Sequence, residues 1–279
     1  MGSVVLKNVL IGASVALLVG CGGGGSLPVD PDAIGEDKKI DITDSNSNDV
    51  SKLFATAVIL SADVLTIAPQ GTDILYPSFR DIEERVTASG AIACDSGNGT
   101  GINNGGVVTY TYNYCKIGST TYNGKVVITD LADGRSFEDT DFTIIKDSRV
   151  VFSADSFKGT ITSNLISLEF IKGYVGFTDG TKFNFRDYKY IKKKITGGNE
   201  FDINGYISKE GFMSGKWVEV KTITKGKDDG SGHCSAGIYD LIGKNGSKVS
   251  IDISGDVLDV VYNSVIKATY NPCSDFFNP

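Results

Sequence analysis

Apolar and polar positions follow two periods along this chain, and the change falls near residue 90. Val50, Leu53, Phe54, Ala57, Val58, Ser61 and Leu65 recur at steps of three and four after the capping candidates Asn48 and Asp49, and Pro69 closes the run. That spacing predicts an amphipathic helix. Ser78-Phe79-Arg80-Asp81 resembles a capping box, and Phe79, Ile82 and Val86 continue one face, so a second short helix is expected there. From Ala91 onward the period is two. Val108, Tyr110, Tyr112 and Tyr114 alternate with Val107, Thr109, Thr111 and Asn113. Similar runs follow at 125–129, 141–146, 158–163, 168–177, 182–195, 201–208, 216–224, 248–254 and 257–262. Asn123-Gly124, Asp133-Gly134, Asp179-Gly180, Asn204-Gly205 and Asn245-Gly246 stand among them, and such pairs suit hairpin turns that need positive φ. The expected fold is mainly β: an antiparallel meander of about ten strands, preceded by two short helices, in a single domain over 50–279.

Within the meander, Asp133–Lys146 (DGRSFEDTDFTIIK) echoes Asp179–Lys192 (DGTKFNFRDYKYIK). Phe137 matches Phe183, Asp141 matches Asp187, Ile145 matches Ile191, and Phe142 stands opposite Tyr188. Segments of about 124–162 and 173–208 are therefore expected to be a duplicated hairpin unit.

Composition agrees with a β protein. The 279 residues include 34 glycines, 12 tyrosines and 14 phenylalanines against six prolines, and 41% of the chain is apolar. The formal charge of −7 argues against nucleic acid as a partner. Residues 21–49 read differently. Four glycines open the stretch after Cys21, aliphatic residues are sparse, and seven acidic residues face only Lys38 and Lys39. Such a segment is expected to be a disordered tether.

Ahead of it, Lys7 precedes an apolar run, Val9–Val19, too short for a permanent span and suited to a secretory signal over 1–20. It ends in Leu18-Val19-Gly20-Cys21. This resembles the lipobox of bacterial lipoproteins. The resemblance implies cleavage before Cys21, a diacylglycerol thioether and an amide-linked acyl chain (palmitate or similar) on that residue, and a membrane as the first partner. Gly22 stands where an inner-membrane retention signal would carry Asp, so the expected address is the outer membrane, with the domain in the periplasm or facing outward.

In an exported chain, Cys94, Cys115, Cys234 and Cys273 read as two disulfides. Three pairings are possible, and neighbour pairing, Cys94–Cys115 and Cys234–Cys273, is the expectation. No tight Cys-x₂₋₄-Cys pair exists to build a zinc site, so neither a metal nor a cofactor is expected.

Catalytic material is thin. His233 is the only histidine, so any Ser-His or Cys-His mechanism must use it. Its neighbour Cys234 would point to the opposite face of an extended strand. Asp141 and Asp187 are the obvious carboxylate pair for a glycoside hydrolase, although their repeat-equivalent positions explain them without chemistry. The expected function is an envelope lipoprotein whose β domain binds an envelope protein or glycan, or has a structural part, and does not catalyse. Two alternatives remain: a lipid or lipoprotein carrier with an apolar cavity under a curved sheet, and a carboxylate-based carbohydrate hydrolase.

Overall fold

A computed structural model describes residues 34–65, 90–177, 180–231 and 233–277. The signal segment, Cys21, the start of the tether and the helix expected at 78–86 lie outside those residues. The described chain is one helix, α1 (Ser47–Leu65), followed by thirteen strands in one antiparallel sheet whose spatial order is the chain order. They are β1 (Ser96–Asn104), β2 (Val107–Ile117), β3 (Thr120–Leu131), β4 (Gly134–Lys146), β5 (Arg149–Thr162), β6 (Leu165–Gly176) and β7 (Lys182–Ile195). The sheet continues with β8 (Gly198–Lys209), β9 (Val218–Asp228), β10 (Cys234–Ile242), β11 (Lys248–Ser254), β12 (Val257–Tyr262) and β13 (Val265–Tyr270).

The meander is as expected, but it has three more strands than the alternation showed. β1 reads SGNGTGINN, with no apolar period, and it exists because β2 supplies a pairing edge. β10 carries Gly237 at φ +151 and several register shifts against β9, which blur its alternation. β13 has six residues and forms one edge.

One face of the sheet is the core. Tyr110, Val126, Phe142, Phe152, Phe170, Phe185, Tyr188, Ile207, Val220, Leu241, Ile251 and Val260 are all at most 2% exposed. Thirteen strands at about 4.8 Å spacing would make a flat sheet roughly 58 Å wide. A 19-residue helix covers only about 28 Å of it. α1 therefore spans about half of the sheet's width. α1 packs on β6–β8 and β10–β13. Its contact is anchored by a buried hydrogen-bond chain. The Ser61 hydroxyl donates to the Ala57 carbonyl at 2.7 Å, leaving its oxygen to accept from the Tyr188 hydroxyl at 2.9 Å.

A recurrent bulge interrupts the ladder and sharpens the local twist. Tyr114, Asp141 and Asp187 have φ of 48°, 48° and 46° inside strands, each where the pairing register shifts. A glycine faces each bulge. A Cβ on Gly124 would lie 2.1 Å from the Asp141 carbonyl oxygen, and one on Gly205 would lie 2.3 Å from that of Asp187. Gly97 faces Tyr114 in the same way, at 2.1 Å. The bulge adds a residue and restores the inward phase, so Phe137 and Phe142, five positions apart, both point into the core. Two of the five expected turn dipeptides, Asn123-Gly124 and Asn204-Gly205, therefore sit inside β3 and β8. Asp133-Gly134 and Asn245-Gly246 fall at strand junctions as expected, as does Gly180, whose partner Asp179 lies outside the described residues. The echoed Asp141 and Asp187 are this one backbone device used twice. Their glycines come from opposite sides, β3 for one and β8 for the other.

The tether also ends earlier than its composition suggests. Ile40 and Ile42 are 4% and 1% exposed, and the Ile40 amide donates to the Trp217 carbonyl at 3.0 Å. Lys39 lies 2.9 Å from Glu36 and 3.2 Å from Glu219. From about residue 36 the polar segment is fastened to Trp217, just before β9, and to Lys244 and Ser247, between β10 and β11, and contributes two core side chains, which outweighs its low mean apolarity.

Candidate functional site

Both expected disulfides are present. Cys94–Cys115 closes a Cα distance of 5.3 Å and ties the segment before β1 to the end of β2. Cys234–Cys273 spans 6.1 Å and ties the start of β10 to the C-terminal 3₁₀ turn.

The sequence-derived catalytic candidates are not assembled into a site. Asp141 and Asp187 lie on β4 and β7, three strands apart, hence roughly 14 Å between backbones. That exceeds the ~5–10 Å separation of carboxyl pairs that cleave glycosides. His233 lies in the β9–β10 loop with its side chain 62% exposed. Its Nδ1 meets Ser231 Oγ at 2.9 Å and Asp229 Oδ2 at 3.2 Å. A triad needs serine and carboxylate on opposite ring nitrogens; here both crowd one. Asp229 is the organiser of the turn. Hydrogen bonds from the Ser231 hydroxyl and amide, then from His233, hold its carboxyl below the usual range. The aromatic runs pack inward, with Tyr110, Tyr112, Phe183, Phe185, Tyr188 and Tyr190 at most 3% exposed. Tyr114, turned outward by its bulge, is 61% exposed.

A different place has the shape of a binding site. Between α1 and β8–β11 lies a cavity of about 150 Å³, lined by Phe54 and Val58 of α1, Phe201 and Ile203 of β8, Tyr239 of β10 and Ile253 of β11. Phe277 closes one side, while Lys227 and Asp228 lie at the polar rim. The Phe54 and Tyr239 rings stand 5.1 Å apart. Tyr239 can lie flat because β9 and β10 are glycine where it crosses them. A Cβ on Gly226 would sit 1.9 Å from the Tyr239 hydroxyl oxygen. Burial pushes the Tyr239 phenol up, so it stays protonated at any physiological pH. The lining is mostly apolar, so it suits an apolar group, with Lys227 and Asp228 as its charged members. Helical periodicity marked Phe54 and Val58 as a stripe, but nothing in the sequence said that the stripe packs imperfectly over β8–β11.

Among the described residues no group of three or more His, Cys, Asp or Glu side chains could hold a metal ion, and no helix is long and apolar enough to cross a membrane. A scan against protein-family models and searches of curated proteins and solved structures find nothing that matches this chain.

Proposed function

We propose that this chain is a lipid-anchored envelope protein, held in the outer membrane through Cys21, whose β domain binds an apolar group of an envelope ligand and does not catalyse. The cavity under α1 carries that reading. Its size favours the binding reading over the carrier alternative. A volume of about 150 Å³ is that of a cavity that admits benzene, whereas pockets for drug-sized ligands run to roughly 300–1,000 Å³. That volume suits one aromatic or short aliphatic group, as a side chain or glycan substituent would offer, better than a whole acyl chain. The lipobox resemblance of Leu18-Val19-Gly20-Cys21 supports the anchor, and the paired cysteines suit an oxidising compartment.

Native mass spectrometry of the Cys21→Ala chain with hexanoate and palmitate tests the reading. Hexanoate should form a one-to-one complex that Val58→Phe removes. A stoichiometric palmitate complex would instead establish the carrier alternative. In cells, an alkyne palmitate analogue should label the wild type and not Cys21→Ala; labelling of the variant would refute the anchor.

A further inference from the structure

The other half of the inner face holds a feature the core does not need. Asp139, inward on β4, is 1% exposed, and neither carboxyl oxygen has a hydrogen-bond partner. Tyr112 on β2 is 3% exposed, and its hydroxyl also lacks a partner. The two are electrostatic neighbours, and Tyr112 in turn neighbours Tyr110 and Tyr122. Buried polar groups without partners are few in folded proteins, and each costs about 1–3 kcal/mol. The fold itself offers an apolar solution. β7 echoes β4 through Phe137/Phe183, Asp141/Asp187 and Phe142/Tyr188, and at the place of Asp139 it carries Phe185, fully buried and stacked at 4.9 Å on Phe170. Asp139 thus occupies a phenylalanine position.

We infer that Asp139 and Tyr112 form an interior site for a small organic ammonium ion. The surroundings select the charge. Cross-strand neighbours of Asp139 are Val126 and Phe157, and the rings of Tyr110 and Phe142 lie 6.2 and 6.0 Å from that of Tyr112. An anion would meet a carboxyl and electron-rich ring faces. A cation is attracted by both, since ring faces and a carboxylate carry negative potential. The proton balance follows. Burial keeps the empty carboxyl protonated, well above the usual carboxylate range. Binding of the cation releases that proton to solvent, one ion in and one H⁺ out, with the charge of the site unchanged. Burial also holds the Tyr112 phenol protonated, with small contributions from Tyr110, Tyr122 and Asp139. From β5 and β6 the facing residues in this row are Phe157 and Phe170, so Asp139 is the carboxyl of this row among the described residues.

The test uses the full chain in a maltoside detergent, which has no amine. Tetramethylammonium chloride should raise the thermal midpoint above that seen in equal sodium chloride. Its apparent affinity should increase about tenfold per pH unit while the empty carboxyl is protonated. Asp139→Asn and Asp139→Phe should abolish the effect, and Val58→Phe, in the separate cavity under α1, should leave it unchanged. If Asp139→Phe fails to fold, Asp139→Asn carries the comparison. An effect equal to that of sodium, an effect independent of pH, or one that survives in the Asp139 variants overturns the proposal.

Discussion

Replacing Gly205 by Ala tests the bulge mechanism, with Gly211→Ala as its control. Both glycines have positive φ, 118° and 76°, but only Gly205 faces another strand. At Gly211, in the turn after β8, a Cβ meets nothing within 4 Å. There the cost is left-handed strain of about 1–2 kcal/mol, offset by about 0.4–1 kcal/mol from the reduced freedom of the unfolded chain. The net loss is about 1 kcal/mol or less. At Gly205 the same strain operates, and the new Cβ would also lie 2.3 Å from the Asp187 oxygen and 2.4 Å from the Tyr188 Cα. Both are backbone atoms, so β7 must move by about 1 Å, carrying Tyr188 away from its 2.9 Å contact with Ser61. Overpacking of that kind adds about 1–3 kcal/mol, for a total near 2–4 kcal/mol. In urea, with a slope of about 3 kcal/mol per molar, the midpoint should fall by roughly 1 M for Gly205→Ala and by a third of that or less for Gly211→Ala. Asp187→Gly should stabilise by up to about 1 kcal/mol, because it removes a side chain from left-handed backbone. Equal midpoints for the two alanine variants would refute the claim that these glycines exist to admit the bulge.

Three further outcomes follow from the same geometry. Ser61→Ala strands the buried Tyr188 hydroxyl and should cost about 1–3 kcal/mol, with Ser61→Ala/Tyr188→Phe less damaging than the sum; strict additivity in urea melts would mean the contact carries nothing. The raised Asp139 carboxyl keeps its proton in the fold while the unfolded chain loses it above pH 3.8, so its stabilisation is complete below that pH and is lost as pH rises toward the folded value. The slope is about −1.4 kcal/mol per pH unit, Asp139→Asn should flatten it, and an unchanged slope in the variant would refute the assignment. His233→Ala should leave hexanoate binding within about twofold; a loss beyond about tenfold, roughly 1.4 kcal/mol, would mean the loop takes part in function.

How far each feature was legible depends on whether its cause is local. Alternation in Tyr110–Tyr112 and Phe183–Phe185 marked strands because a sheet with one buried face imposes period two on its own sequence. For the same reason Val50 to Ser61 marked α1. The disulfides were legible because short loops favour neighbours. β1 was not, since SGNGTGINN becomes a strand only when β2 offers it hydrogen bonds. Asn123-Gly124 and Asn204-Gly205 misled for a related reason. Positive φ is what their glycines need, but a hairpin turn and a bulge both supply it, and the choice belongs to the strand across the way.

By itself, then, the chain determined the class of fold, the order and direction of most strands and the helix, all set by contacts between near neighbours, while it narrowed the cysteines to three pairings of which the structure holds the neighbour one. Where the strands bulge, which helix residues leave a cavity over β8–β11, that Ile40 and Ile42 leave the acidic segment for the core, and that Asp139 stands unpartnered among aromatic rings were decided by tertiary structure alone. Each depends on groups tens to hundreds of residues apart in sequence, as Ile40 is from Trp217, and no periodicity records that distance.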